Sequence, residues 1–138
     1  MSLSLCMIAR DEENRIGRAL ASFAGVADEI IVTDTGSTDR TVEIAESYGA
    51  KVSFFPWIDD FAAARNYALS QANGDWIFWL DADEELLPDS RAELQKCMNV
   101  SDAVGFSVQR QDLMFENLPD QFTIMWQLRL FRRLPELK

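Results

Sequence analysis

What most constrains this chain is an alternation, made four times, between a short apolar run and a stretch with helical spacing. Leu3-Ser4-Leu5-Cys6-Met7-Ile8 reads as the first strand. A helix opened by Asp11 or Asn14 follows, with Ile16, Leu20 and Phe23 on one face and Gly25 at its end. Ile30-Ile31-Val32-Thr33, introduced by Asp28-Glu29, is a β-branched second strand that stops at Asp34. The turn Thr35-Gly36-Ser37-Thr38-Asp39 supplies N-cap residues. The next helix carries Val42, Ala45 and Tyr48 on one face and closes at Gly49. Lys51 to Phe55 forms a third strand ended by Pro56, and Asp59-Asp60 open a helix with Phe61, Ala64, Ala68 and Ala72 on one side. Asn73-Gly74-Asp75 turns the chain into a fourth strand, Trp76 to Leu80. Ser90-Arg91-Ala92-Glu93 has capping-box spacing for a helix ending near Cys97.

Strands joined through helices pair in parallel, with right-handed crossovers and helices on both faces of the sheet. Beyond residue 100 the pattern changes. Val104, Phe106 and Val108 alternate with polar residues, as do Phe122 to Leu130 with interruptions, which predicts antiparallel strands with one solvated face. Repeats, linkers and low-complexity segments are absent, so residues 1–138 read as a single domain. The apolar runs fall short of the ~20 residues that span a bilayer. Met1 to Ile8 lacks the basic start and long apolar region of a signal peptide.

Composition then limits the chemistry. The net charge is −10, which argues against a nucleic-acid partner. The chain has no histidine. That removes Ser-His-Asp and Cys-His pairs, imidazole acid–base catalysis and most zinc sites. Chemistry here must run on carboxylates, arginines, hydroxyls or a bound ion. Cys6 and Cys97 read as small reduced core thiols, which implies a cytoplasmic protein, free or associated with the inner face of a membrane.

In open α/β sheets, ligands bind beyond the carboxyl ends of the parallel strands. Ala9-Arg10-Asp11-Glu12 stands there after strand one and Asp34-Thr35-Gly36-Ser37 after strand two. Trp57 and Asp59-Asp60 follow strand three. After strand four comes Asp81-Ala82-Asp83-Glu84-Glu85, four carboxylates within five positions. A dinucleotide-binding loop would need glycines directly after strand one, and the first is Gly17. A calcium loop counted from Asp81 would need glycine and glutamate where Leu86 and Ala92 stand. A haloacid-dehalogenase-like phosphatase, with D-x-D-x-T/V after an apolar strand, is the stronger rival. Here Glu85 holds the fifth position, and the motif lies on the fourth strand instead of the first. The remaining reading is a metal–diphosphate site. A divalent cation would offset the repulsion between the aspartates and a nucleoside diphosphate, one aspartate facing the sugar and the other the ion.

Four segments carry a resemblance. They are Leu5-Cys6-Met7-Ile8-Ala9-Arg10-Asp11-Glu12, Ile31-Val32-Thr33-Asp34-Thr35-Gly36-Ser37-Thr38-Asp39, Phe61-Ala62-Ala63-Ala64-Arg65-Asn66 and Leu80-Asp81-Ala82-Asp83-Glu84. In this order and at these strand ends the chain resembles the family 2 glycosyltransferases, from Leu3 to about Leu87 and less specifically beyond. The resemblance implies a GT-A (Rossmann-like) three-layer α/β/α fold, with a mostly parallel sheet and antiparallel strands near the C-terminus. It implies a UDP-sugar donor, Mn2+ or Mg2+, and transfer with inversion to a glycan, lipid-linked or protein acceptor. Ala9 and Asp11 would lie beside the nucleobase and ribose, Asp34 would hydrogen-bond uracil, and Arg65 would help position the nucleotide or the D-x-D loop. Asp81 would meet the ribose, and Asp83 would bind the cation that bridges the phosphates. Many family members carry a second aspartate where this chain has Thr35.

Inverting members also need a carboxylate base, far beyond the D-x-D. Lys138 comes 55 positions after Asp83. Asp112 and Glu116 are later carboxylates that nothing marks as the base. The expectation is a base beyond Lys138, in a C-terminally truncated or minimal chain. A donor-binding fragment without turnover is the alternative.

Each candidate also has a plainer reading. Asp34 can cap its turn, and Arg65 can be a solvated helix arginine. Glu84 and Glu85 read as helix-start charges. Trp76 and Trp79 read as core aromatics, and Trp57 as core or a stacking surface. Arg129, Arg132 and Arg133 read as a solvated strand edge, with phosphate binding as the lesser alternative.

Overall fold

The computed structural model describes residues 2–99, 105–113 and 122–133. In chain order the elements are β1 (Leu3–Ala9), α1 (Ile16–Ala21), β2 (Glu29–Asp34), α2 (Thr41–Ser47) and β3 (Lys51–Phe54). They continue with α3 (Phe61–Ser70), β4 (Trp76–Trp79), α4 (Ser90–Met98), β5 (Gly105–Leu113) and β6 (Phe122–Arg132). The strands form one sheet in the order β3-β2-β1-β4-β6-β5. β1, β2, β3 and β4 are mutually parallel, and β6 runs antiparallel to both β4 and β5. The parallel sheet with late antiparallel strands is the expected one. Val104 and Glu116 lie outside the described residues.

A strand sends successive side chains to opposite faces, and here both faces are covered. On one face Leu3, Leu5, Met7 and Ala9 of β1, Val32 of β2 and Trp76 and Phe78 of β4 pack under three helices. Those helices contribute Ile16, Ala19 and Leu20 from α1, Ala45 from α2, and Leu94 and Met98 from α4. On the opposite face Cys6, Ile31, Ile77 and Trp79 meet Ala68 of α3 and Ala72 just past its end. The small residues Ala64, Ala68 and Ala72, all buried, let α3 lie close to the sheet. Cys6 is a buried core thiol and Cys97 packs against the larger cluster, both free as expected.

Several helix faces differ from their expected assignment. Val42 is only half-buried, and α2 docks through Thr41 and Ala45 with Ile44 beside them. Tyr48 falls past the last helical residue, where it leaves the helical track; it is 44% exposed and lies beside Gly17 of α1. Phe61, the first residue of α3, projects into solvent at 52% exposure because the alanine stripe, not the aromatic, sets that docking face. α1 is capped by neither Asp11 nor Asn14: the chain is already turning when the N–H groups of Arg15 and Ile16 donate to the Glu12 carbonyl. Ser90 is the first residue of α4 instead of its cap. The turn begins earlier, with the Ser90 and Arg91 N–H groups donating to the Leu87 and Pro88 carbonyls.

The amino-terminal rim of the sheet is fastened by acids. The Leu3 N–H donates to Asp28 Oδ2 at 2.8 Å, and the Ser2 N–H and hydroxyl donate to Asp75 Oδ2 at 3.1 and 3.2 Å. Glu29 accepts from the Ser4 hydroxyl, the Asn73 N–H and side-chain amide, and Lys51 Nζ, so it ties β1, β2, β3 and the turn before β4. No described helix is long and apolar enough to cross a membrane.

Candidate functional site

The carboxyl ends of β1, β2 and β4 open onto the opposite rim, since the three strands are parallel neighbours. Ala9 closes β1, is buried, and stands in register with Asp34. The loops that follow are stitched together. The Asp11 N–H donates to the Ser37 hydroxyl at 3.0 Å, and Asp11 Oδ1 accepts from the Thr38 N–H at 2.7 Å. The Glu12 N–H donates to the Thr41 hydroxyl and the Glu13 N–H to Asp39, while Glu13 accepts from the Arg40 N–H. Asp11 adopts φ 53°, a left-handed conformation uncommon for a non-glycine residue, and these reciprocal bonds hold it there. Asp34 is 6% exposed, and its carboxylate accepts from the Gly36 N–H and from the N–H and hydroxyl of Ser37. Its turn-capping role is therefore realised, at the strand end facing the rim.

Arg65 reaches across from α3, and its guanidinium lies 5.0 Å from the centre of the Trp79 ring. It is a partly buried cation stacked on the last residue of β4, two positions before Asp81. Trp76 and Trp79 are core aromatics, while Trp57 is 40% exposed and donates from Nε1 to Asp59.

The acidic loop is organised by a residue that the sequence reading left on a solvated edge. Antiparallel pairing sets Leu130 opposite Phe78, which brings Arg129 beside the end of β4. The Arg129 side chain is only 12% exposed. Its Nη1 donates to Glu84 Oε1 at 2.9 Å and to the Trp79 carbonyl at 3.1 Å. Its Nη2 donates to Glu84 Oε2 at 3.2 Å and lies 3.5 Å from Asp81 Oδ2. Glu84 Oε1 also accepts the Asp81 N–H, and the Glu84 N–H returns to the Asp81 carbonyl, both at 2.9 Å. Glu84 is thus the loop's internal brace, not a helix-start charge, for α4 begins only at Ser90. Arg132 and Arg133 are not bare either: one stacks over Trp76 at 4.4 Å and the other donates to the Gly74 carbonyl at 2.8 Å. On the far side, the Leu86 N–H donates to the Ser22 hydroxyl and Arg91 Nη2 to the Ala24 carbonyl, latching the segment to the end of α1.

Asp83 stands apart from this bracing. Ala82 is buried, whereas Asp83 is exposed and makes no hydrogen bond or ion pair among the described residues. Glu12 shares its field. Burial pushes the Glu12 carboxyl upward and Arg15 opposes this, while the negative charges of Asp83 and Asp39 push it further up. No three potential ligand side chains converge to cage a metal among the described residues. The exposed Asp83 is a single-carboxylate donor of the kind Mg2+ or Mn2+ would take, their remaining positions going to water and phosphate oxygens.

The sequence puts Ala9, Asp11, Asp34, Asp81 and Asp83 directly after parallel strands, and those strand ends are neighbours in the sheet. Arg65, expected only from the resemblance, stacks on Trp79 at the end of β4. The sequence reads Arg129 as a solvated edge and Glu84 as a helix-start charge, and sets Glu12 on the rim without a role. The side chain of Asp112 lies outside the described residues, as does Glu116.

A parallel α/β sheet closed by antiparallel strands, with an acidic loop at its carboxyl rim, is the GT-A architecture of nucleotide-sugar enzymes. Glucosyl-3-phosphoglycerate synthase of Mycobacterium tuberculosis, solved with Mn2+, UDP and glucosyl-3-phosphoglycerate, has this fold. It aligns with a TM-score of 0.61 at 24% identity, covering 75% of this chain and 42% of that one. The chain belongs to glycosyl transferase family 2, whose family model matches residues 4–137. A TPR repeat-containing protein of Synechococcus elongatus is 45% identical, covering 99% of this chain and 33% of that protein. The lipopolysaccharide core biosynthesis glycosyltransferase LpsC of Rhizobium meliloti is 33% identical, covering 96% of this chain and 52% of that protein. The chain thus spans about a third to a half of the length of these relatives.

Proposed function

We propose that this chain binds a nucleoside diphosphate sugar, UDP-linked, and presents it for transfer with inversion to an acceptor the sequence does not name. The observation that carries the reading is the division within the acidic loop. Glu84 and the backbone of Asp81 are spent on holding the loop, while Asp83 is left exposed at the rim with its carboxylate uncommitted. Asp83 would hold Mn2+ or Mg2+ against the diphosphate. Such a cation would neutralise the phosphates and stabilise the charge on the departing nucleoside diphosphate.

The chain's own residues supply the rest. Asp81 keeps 44% of its side-chain surface open and would accept from a ribose hydroxyl. Ala9, without a bulky side chain, and Asp11, in its fixed left-handed turn, would flank the nucleobase and ribose. Asp34 would meet the base from the neighbouring strand end. Arg65, fixed on Trp79, would bring positive charge beside the loop. Support also comes from the structural relative solved with Mn2+ and UDP, and from a relative named as a glycosyltransferase.

Calorimetric titration with UDP tests this. Binding is expected with Mn2+ present, and Asp83→Ala or removal of Mn2+ should weaken it by roughly tenfold or more, as expected when a charge-assisted contact is lost. Equal affinity in wild type and Asp83→Ala would overturn the reading.

A further inference from the structure

We infer that Arg129 is a positioning residue for the D-x-D loop and acts through Glu84, an inference that rests on the donor-site reading for its consequence but not for its geometry. Four carboxylates within five positions repel one another, and a loop carrying them would splay without a countercharge. Arg129 supplies it from β6, forty-five positions beyond Glu84. One guanidinium nitrogen spans the Glu84 carboxylate and the Trp79 carbonyl, and the other spans Glu84 and Asp81. The planar fork fixes both partners at once, which a lysine ammonium cannot do. Glu84 then carries the constraint to the Asp81 backbone, because one of its oxygens is shared between Arg129 and the Asp81 N–H. Ala82 is buried between the two aspartates, so fixing Asp81 also fixes the direction in which Asp83 leaves the surface.

The pairing also sorts the charges. Glu84 is largely neutralised by the fork, Asp81 is only brushed by it at 3.5 Å, and Asp83 is untouched. Arg129 therefore relieves the loop's repulsion without consuming the carboxylate that meets the cation. The same antiparallel strand that completes the sheet delivers this residue, so sheet closure and loop order are coupled.

The test combines hydrogen exchange over residues 80–86 in the ligand-free chain with UDP titration in Mn2+, for Arg129→Lys, Arg129→Ala, Glu84→Gln and the double variant Arg129→Lys/Glu84→Gln. Arg129→Lys keeps the charge and the aliphatic stem, so its thermal midpoint should stay near wild type. Exchange over 80–86 should nevertheless accelerate, and UDP affinity should fall roughly tenfold. Glu84→Gln should behave alike, and the double variant no worse than either single one, as expected of groups acting as a unit. Wild-type loop protection and affinity in Arg129→Lys would overturn the inference. So would an affinity loss in the arginine variants that Glu84→Gln does not share, which would make Arg129 a direct ligand contact. If wild type binds no UDP, the donor-site reading fails, while the exchange data still decide whether Arg129 and Glu84 order the loop. Should Arg129→Ala fail to fold, the lysine and glutamine variants carry the test.

Discussion

At the scale of single residues, Asp83 differs from the braced carboxylates on both rims, for Asp11, Asp34 and Glu84 near it also accept backbone N–H groups. Asp28, Glu29 and Asp75 at the amino-terminal rim are spent on N–H and hydroxyl donors, whereas Asp83 at the carboxyl rim is left open. Glu29 has the strongest consequence. Burial raises its pKa, but the hydrogen bonds from Ser4, Asn73 and Lys51 outweigh burial and hold it down at about 2, against an ordinary value of 4.5. A carboxyl depressed in the folded state contributes its full stability above its unfolded value and loses it as pH falls through the folded one. Part of the chain's acid destabilisation should therefore develop between about pH 4.5 and 2. Glu29→Ala should lower stability near neutral pH by about 1.5–3 kcal/mol, the usual cost of losing hydrogen bonds to a charged group. Its unfolding free energy should then change less than that of wild type across that acid window, as urea titrations at a series of pH values would show. The exposed Lys51 adds little to this, since a surface ion pair is weak.

At the scale of elements, the sequence told strands from helices because period-2 and 3.6-residue patterns reflect burial on the two faces. It was less informative where tertiary docking decides. Ala64, Ala68 and Ala72 were legible as a stripe, but the exposure of Phe61 depends on where α3 meets the sheet. The cap of α4 was misplaced because backbone turning at Leu87 and Pro88 precedes any side-chain signal. The pairing of Arg129 was not legible, because its partner Glu84 lies in a sequence-distant loop and only the β4–β6 register joins them. The Asn73-Gly74-Asp75 turn shows the reverse case. It was readable as a turn, and the structure adds why glycine is needed: a Cβ there would sit 2.6 Å from Ser4 Oγ and 2.8 Å from the Ser4 backbone nitrogen. The Gly74 N–H also donates to that hydroxyl. Gly74→Ala should force β1 and β4 apart and destabilise by roughly 1–3 kcal/mol, a typical overpacking cost. The midpoint of urea unfolding measures it.

At the scale of the whole molecule, the parallel strands bring four sequence-distant segments to one rim, and β6 supplies the cation that orders the acidic one. Most candidate site residues were legible because each sits directly after a strand, where this topology gathers ligand-binding loops. The division of labour among the carboxylates was not, because it depends on which of them find partners. In the proposed function the carboxyl rim takes a divalent cation together with a nucleoside diphosphate, at Asp83. Paramagnetic broadening of backbone amide resonances by Mn2+ tests this most directly. With UDP present, the strongest broadening should fall at residues 81–85 and 10–13 and the weakest at Asp28, Glu29 and Asp75. Asp83→Asn should abolish the pattern. Broadening centred on the amino-terminal rim, or a pattern at residues 81–85 unchanged in Asp83→Asn, would contradict it.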